Sequence, residues 1–338
     1  MSLHGVTRVR IPRLIDIHMH LRQLPFMAWV IAQLLDVYDW VLPIGNTTPP
    51  IATGPEALDY ELKILAAGAR FRVIKSLFFT EELTVELIEQ AWQLGVKSIK
   101  LMFKQTSVGS QHGIPFDALW DYRRHFALME KLGLVLQIHA EHPGVENLLE
   151  RERACLPYVR QLATEFPQLK IVIEHATTIG AINLAYELEN VWCSITLHHL
   201  VLLHWMVLGN HDHLCLPVAK DWQDREELLR AAFSTHPRFV FGSDSAPHPR
   251  TAKDRAKGAC GIFSAPTTAL LIQIAEERGA LDRLEDFTSK RAAQLFQLEP
   301  SGETVEFVRE PQDIPFETDP SHARPFLAGR RLDWRLAA

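Results

Sequence analysis

Short apolar runs alternate with longer amphipathic stretches along most of the chain. The short runs are apolar at almost every position, which is typical of strands that are buried on both faces of a parallel sheet. The pattern predicts eight such strands, at residues 14–20, 40–46, 71–80, 98–103, 134–141, 170–177, 191–196 and 239–243.

The stretches between these runs have the periodicity of helices with one apolar face. We predict helices at residues 55–67, 84–94, 116–132, 151–166, 179–188, 224–233 and 265–278. Eight strands that alternate with helices favour a closed (β/α)8 TIM barrel, and an open doubly wound sheet is the structural alternative. No G-x-G-x-x-G follows an early strand, which argues against the nucleotide-binding form of that alternative.

Length and composition fit one large barrel. The chain has 338 residues, of which 47% are hydrophobic, and α/β barrels often use about 250 residues or more as one domain. We therefore predict a single domain over residues 1–338. Residues 299–338 are rich in proline and charge, and we expect them to form a C-terminal tail that packs on the barrel.

Charge and cysteine content narrow the class of protein. The net charge is -6 and no basic run occurs, which argues against nucleic acid as a partner. The sequence contains neither an apolar signal core at its start nor an apolar run of 18 residues, so we expect no membrane segment. The four cysteines form no C-x-x-C pair, and a reducing cytoplasm fits them best.

Polar residues with metal-binding side chains stand where the predicted strands end. Residues two apart on a strand point to the same side, so His18 and His20 could reach one ion. In a barrel the carboxyl ends of the strands meet on one face, which carries the active site. The six candidates on that face are His18, His20, Lys100, His139, His175 and Asp244.

Each of these residues also has an ordinary structural interpretation. A strand-end histidine is often a hydrogen-bonded structural residue, a lysine there usually extends to water, and an aspartate after a strand is often a helix cap. The six together favour a metal site, because all of them fall on one face of the predicted barrel. Neutral imidazole suits Zn2+, and carboxylates complete its shell.

Four histidines and one aspartate can hold two ions only with an anionic bridge. Between two cations the pKa of Lys100 would fall, and the neutral amine could take up CO2 and become a bridging carbamate. Two metals that share a hydroxide generate a nucleophile and polarise a carbonyl. Asp244 could accept the hydroxide proton and deliver it to a leaving amide nitrogen.

Six motifs carry a family resemblance that extends from about residue 12 to residue 335. They read H-M-H-L-R at 18–22, N-T-T-P-P at 46–50, E-H-A-T-T at 174–178, C-L-P-V-A-K at 215–220, S-D-S-A-P-H at 243–248 and P-F-L-A-G at 325–329. In these motifs the chain resembles the shorter bacterial dihydroorotases, typically homodimers, of the amidohydrolase superfamily. The resemblance implies a homodimer and reversible cyclisation of N-carbamoyl-L-aspartate, a small molecule with free carboxylates, to L-dihydroorotate in pyrimidine synthesis.

The resemblance also assigns roles to single residues. His18 and His20 would bind one zinc ion with Asp244, His139 and His175 would bind the other, and carboxylated Lys100 would bridge them. The substrate carboxylate would be held by three side chains, those of Arg22, Asn46 and His248. The backbone groups of Leu216 and Gly261 would contact the pyrimidine ring, and Ser107 would belong to a loop that closes over the substrate.

Four features of the sequence depart from the family pattern. The closing loop commonly presents two adjacent threonines, where this chain has Ser107 and Val108. Cys260 stands where a small residue is usual, and Gln23 where aspartate is frequent. Residues 210–214 replace an R-P-H-x-Y segment, and their two histidines and one aspartate could form an extra metal site, although we expect a surface loop.

Two other functions stay open on the sequence alone. One is a related amidohydrolase that opens another cyclic amide or imide, such as a hydantoin or a dihydropyrimidine. The other is a weakly active or inactive paralogue that serves as a scaffold for a partner enzyme. The complete ligand set favours catalysis, and Arg22, Asn46 and His248 favour a substrate with a free carboxylate.

Overall fold

The computed structural model describes residues 5–338. Its strands are β1 (Arg8–Pro12), β2 (Leu14–Met19), β3 (Tyr38–Pro43), β4 (Arg72–Val73), β5 (Ser76–Phe78), β6 (Ser98–Leu101), β7 (Val135–Ile138), β8 (Lys170–Ile173), β9 (Val191–Ile195), β10 (Phe239–Phe241), β11 (Thr304–Val308), β12 (Gln312–Asp313), β13 (Arg331–Leu332) and β14 (Arg335–Leu336). Its α-helices are α1 (Phe26–Ala32), α2 (Gly54–Ala66), α3 (Val85–Gln93), α4 (Arg123–Leu132), α5 (Arg151–Glu165), α6 (Ile179–Glu187), α7 (Trp222–Ala232), α8 (Arg250–Lys253), α9 (Leu270–Glu277) and α10 (Arg291–Phe296).

The strands from β2 to β10 form a closed parallel barrel. They pair in chain order as β2-β3-β4 and as β5-β6-β7-β8-β9-β10. β4 and β5 are two halves of the third predicted strand. The barrel closes between its first and last strands, because the Asp244 amide donates to the His18 carbonyl at 2.8 Å and the His20 amide donates to the Ser245 carbonyl at 2.9 Å. The prediction of a (β/α)8 barrel is confirmed.

The predicted helices are present, with two differences at their starts. Residues 116–132 were predicted as one helix, but Phe116–Tyr122 is a 3-10 helix and only α4 is α-helical. The helix predicted from residue 265 begins with a 3-10 turn at Ala265–Thr267, where Pro266 has no amide hydrogen to donate. Three short helices, α1, α8 and α10, were not predicted.

Alternation along the strands places polar side chains at one end of the barrel lumen. Val172 on β8 lies two residues before Glu174, and Val240 on β10 lies four residues before Asp244. Both valines belong to one buried apolar cluster. Residues separated by two or four positions point to the same side of a strand. On these two strands the lumen side is therefore apolar at the valines and polar beyond the strand ends, which is where the candidate residues lie.

The C-terminal segment contacts the barrel at several points. β11 pairs antiparallel with β1 and with β14. The Phe326 amide donates to the Phe263 carbonyl at 2.8 Å, and the Trp334 side chain is fully buried. Among residues 5–338, no helix has the length and apolar character needed to cross a membrane.

Candidate active site

Three residues from the first and last barrel strands converge on one point. His18 and His20 at the end of β2 have their Nε2 atoms 3.3 Å apart. Asp244 follows β10. Its Oδ1 atom lies 3.2 Å from Nε2 of His18 and 3.1 Å from Nε2 of His20. One cation placed among these three atoms could be bound by all of them.

A second group of residues lies beside the first. His139 follows β7 and His175 follows β8, and the Nδ1 atom of His139 lies 3.1 Å from the Nε2 atom of His175. Lys100 on β6 is buried and contacts the Glu174 carboxylate. The other oxygen of Glu174 is 3.0 Å from Nδ1 of His18, so this carboxylate joins the two groups.

The backbone around these side chains is held in an unusual conformation. His175 has φ 40° and Asp244 has φ 42°, the left-handed region that residues other than glycine rarely adopt. Hydrogen bonds stabilise the backbone at both positions. The His175 amide donates to Ser194 Oγ at 2.8 Å, and the amide of Ser243, next to Asp244, donates to Asp16 Oδ1 at 2.9 Å. Such strain is typical of functional sites.

Burial sets the charge state of the candidate ligands. Desolvation lowers the pKa of His18 and His139, lowers that of His175 well below its usual value, and lowers that of His20 to about 4. Desolvation alone would raise the pKa of Asp244, but His18 and His20 hold it well below its usual value. The site therefore offers neutral imidazoles and an ionised carboxylate, which are the forms that bind divalent metals.

The structure offers further signs that these residues fit a metal pair. Nδ1 of His175 is buried and has no hydrogen-bond partner within the described chain. The Nε2 atom of His139 contacts the Glu141 carboxylate at 2.7 Å, which leaves Nδ1 facing the centre. A carboxylate behind a ligating histidine is a common means of orienting the ring.

The same cavity contains three residues predicted to bind a carboxylate. The cavity is lined by these three residues, Arg22, Asn46 and His248, together with the metal-ligand candidates His18 and Lys100. Arg22 donates from Nε to the Pro247 carbonyl at 2.8 Å and lies 2.9 Å from His248 Nε2. Its own carbonyl accepts a hydrogen bond from the Tyr60 hydroxyl at 2.7 Å. Asn46 donates to the Val108 carbonyl at 3.4 Å.

The predicted ring contacts form one wall of this cavity. The cavity is lined by Leu216, Cys260 and Gly261, and also by Ser107 and Val108. Gly261 has φ 145°, and a Cβ atom there would lie 2.6 Å from the Ala246 carbonyl oxygen. Only glycine fits this position, which leaves the backbone exposed to a ligand.

The loop at residues 210–214 does not form a metal cluster. His211 Nδ1 bonds to the Lys253 carbonyl at 2.9 Å and His213 Nδ1 to the Met206 carbonyl at 3.1 Å, while Asp212 pairs with Arg324. The alternative of an extra metal site at these residues is therefore not supported.

A different buried trio was not predicted and consists of His198, His199 and Cys215. Both ring nitrogens of His199 already have hydrogen-bond partners, the Thr196 hydroxyl at 2.9 Å and the Pro217 carbonyl at 3.0 Å. These bonds explain the burial of His199 without a metal ion.

Four residues at the site were not singled out from the sequence, namely Tyr60, Glu141, Glu174 and Lys253. Glu174 and Glu141 are each within two positions of a predicted ligand, so their burial beside His175 and His139 could have been inferred. Tyr60 lies on α2 and Lys253 on α8, and both reach the site only through the tertiary fold.

Comparison with known proteins identifies the family of the chain. The amidohydrolase family model matches residues 48–277. A dihydroorotase of Helicobacter hepaticus is 34% identical over 330 residues, which is 95% of each chain. A dihydroorotase of Halorhodospira halophila is 36% identical over 96% of this chain and 98% of its own.

Solved structures show the same similarity. Dihydroorotase from Saccharomyces cerevisiae, in complex with 5-fluoroorotic acid, superposes with a TM-score of 0.92 at 28% identity, covering 98% of this chain and 99% of that one. L-hydantoinase from Arthrobacter aurescens superposes with a TM-score of 0.79 at 14% identity, covering 97% of this chain and 82% of that one. The second similarity concerns the fold alone.

Proposed function

The chain belongs to the dihydroorotases of the amidohydrolase family, and on this basis we propose that it catalyses the reversible cyclisation of N-carbamoyl-L-aspartate to L-dihydroorotate in pyrimidine biosynthesis. It is a hydrolase that acts on cyclic amides, since its relatives are dihydroorotases.

The choice of substrate rests on one observation, the position of three carboxylate-binding side chains in the cavity. Arg22, Asn46 and His248 line the same cavity as the strand-end histidines. Among residues 5–338, no carboxylate lies within 4.0 Å of the Arg22 guanidinium. Arg22 is partly buried, and an arginine without an acidic partner is available to bind an anion, since its planar group matches a carboxylate. L-dihydroorotate offers a carboxylate beside the amide that is cleaved.

The proposed cofactor is a pair of zinc ions. His18, His20 and Asp244 would hold one ion, and His139 and His175 the other. Burial lowers the pKa of Lys100 to about 7, which favours the neutral amine, and this form could take up CO2 to give a bridging N6-carboxylysine. Bound there, the metal pair would lower the pKa of a water ligand and polarise the amide carbonyl.

The chain's own residues would position the substrate and move one proton. Asp244 is the proposed general base and acid, since its Oδ1 lies at the meeting point of His18 and His20. Arg22, Asn46 and His248 would fix the carboxylate, and the backbone groups of Leu216 and Gly261 would orient the ring. Ser107, in the loop above the cavity, would help to exclude water.

The direct test is hydrolysis of L-dihydroorotate by the zinc-loaded chain and by Asp244→Ala. We expect the parent to be active and the variant to lose about 10^3-fold or more in kcat, because a proton-transfer group is removed. Asp254→Asn is a suitable control, since Asp254 is exposed and lies outside the cavity. A parent without activity would instead favour the scaffold function.

We also propose a homodimer that works in the cytoplasm. Helices α2 and α3 pack together, and both expose large apolar side chains, including Leu62 and Trp92. Such a surface is suited to a second copy of the chain. All four cysteines are free thiols, which fits a reducing compartment. Light scattering of the zinc-loaded protein would measure the mass of the assembly.

A further inference from the structure

Lys253 is a buried cation that has no role in the reaction described above. It is the last residue of α8, in a segment rich in charged residues. Its side chain is 5% exposed. Nζ donates to the Gly261 carbonyl at 2.7 Å and to the Leu214 carbonyl at 3.2 Å.

The charge of Lys253 has no acidic partner. Within residues 5–338, no carboxylate lies within 4.0 Å of Nζ. Asp212, on the neighbouring loop, is paired with Arg324. By contrast, buried Lys100 contacts a carboxylate. Burying an uncompensated ammonium is costly, and an anion bound nearby would compensate the charge of Lys253.

The two carbonyls that Lys253 binds belong to the ring wall. Gly261 lines the cavity, and Leu214 comes two residues before Leu216, which lines it too. The Gly261 amide also donates to the Leu214 carbonyl at 2.8 Å. Lys253 thus reinforces the junction between the two segments that form this wall.

Lys253 also lies near the carboxylate end of the cavity. Its charge acts on His248, whose pKa falls to about 2 through burial and through the charges of Arg22 and Lys253. The Cys260 carbonyl, one residue before Gly261, bonds to His248 Nε2 at 2.9 Å. Two cations, the partly buried Arg22 and the buried Lys253, therefore act on the same end of the cavity.

We infer that Lys253 is a positioning and specificity-determining residue that joins the Leu214 and Gly261 segments and provides a second positive charge, with Arg22, for the substrate carboxylate. This inference rests on the proposed function and deepens it. The charge acts without direct contact, because attraction between charges in a protein interior extends over several ångströms.

The test compares the affinities of two ligands that differ in charge. Orotate carries a carboxylate, and its carboxamide, orotamide, has a similar shape and is neutral. Calorimetry on the zinc-loaded protein gives both dissociation constants for the parent and for Lys253→Met, Lys253→Gln and Lys253→Arg. Methionine removes the donors and the charge, glutamine retains an amide donor without charge, and arginine retains both.

We expect the parent to prefer orotate, and this preference to fall about tenfold in Lys253→Met and Lys253→Gln and to return in Lys253→Arg. Arg291→Met is the matched control. Arg291 is also buried and bonded to carbonyls, those of Ala232, Ser234 and Phe239, but it lies near the amino end of β10, away from the cavity.

The outcomes separate this inference from the proposed function. A parent that binds orotate no better than orotamide would contradict carboxylate recognition itself. A parent preference that persists in both uncharged variants would overturn the inference alone, even if those variants melt at a lower temperature. In that case Lys253 would be only a structural residue.

Discussion

At the scale of single residues, Gln23 links the two segments that carry the carboxylate-binding side chains. Its Oε1 accepts a hydrogen bond from the Thr48 amide at 3.0 Å, and its Nε2 donates to the Thr48 carbonyl at 3.0 Å. Arg22 is the adjacent residue on one side, and Asn46 is two residues from Thr48 on the other. The aspartate that is frequent at this position in the family could accept the first bond but could not donate the second.

We predict that Gln23→Ala raises the KM for dihydroorotate about tenfold and changes kcat much less. The reason is that Arg22 and Asn46 would lose their fixed spacing, whereas the strand-end histidines would not move. Steady-state kinetics of the zinc-loaded variant would measure both parameters, with Gln90→Ala on the exposed face of α3 as control. An unchanged KM would show that the link does not matter for binding.

The candidate ligands could be inferred from the sequence because each of them lies at the end of an apolar strand or shortly after it. His18 and His20 follow from the two-residue period of β2, and Asp244 from its place after β10. Lys253 and Tyr60 could not be inferred in this way, since a charged helix and an amphipathic helix both predict solvent exposure. Only the packing of α8 and α2 against the site reveals where their polar atoms go.

At the scale of elements, the loop above the cavity is the least typical part of the site. It begins and ends on a short bridge between Phe103 and Ile114, with the Lys104 amide donating to the Ile114 carbonyl at 2.9 Å. Val108 at its tip is 45% exposed and borders the cavity. An apolar side chain here offers no hydrogen bond to a substrate.

Val108→Thr should therefore raise kcat for dihydroorotate by about three- to tenfold, because one added hydrogen bond contributes about 1 kcal/mol. The change is nearly isosteric, and the exposed position makes the melting temperature insensitive to it. Val108→Ala separates the effect of the hydroxyl from that of a smaller side chain. Equal kcat values for the threonine and alanine variants would refute a role for the hydroxyl.

The pattern of apolar residues predicts all eight barrel strands but not their details. The third strand is divided into β4, which pairs with β3, and β5, which pairs with β6. The hydrophobic pattern does not show this division, because it does not depend on which strands pair. Similarly, residues 116–132 have one helical periodicity, whereas the first part forms a 3-10 helix. Apolar spacing does not distinguish the two helix types over so short a stretch.

At the scale of the whole molecule, the C-terminal segment is bound to the barrel through Trp334. Its ring is fully buried, its Nε1 donates to Glu276 on α9 at 3.1 Å, and the Arg309 guanidinium lies 5.0 Å from the ring centre. The composition of residues 299–338 predicts a tail on the barrel but does not indicate which side chain attaches it. We propose that this segment is part of the single barrel domain.

Trp334→Ala should lower the free energy of unfolding by about 3–5 kcal/mol, the usual cost of removing a buried aromatic ring. Urea denaturation followed by circular dichroism would measure this change. Trp222→Ala removes the same side chain where it is 60% exposed, and it should cost less than about 1 kcal/mol. Similar losses in the two variants would mean that the tail contributes little to stability.

We propose above all that this amidohydrolase selects its substrate by a carboxylate. The most direct test is the ratio of kcat/KM for L-dihydroorotate to that for dihydrouracil, which has the same ring without the carboxylate. Because bonds to charged groups contribute about 1.5–3 kcal/mol each, we predict a ratio of about 100 or more for the zinc-loaded enzyme. Dihydrouracil turned over as fast as dihydroorotate would contradict the account.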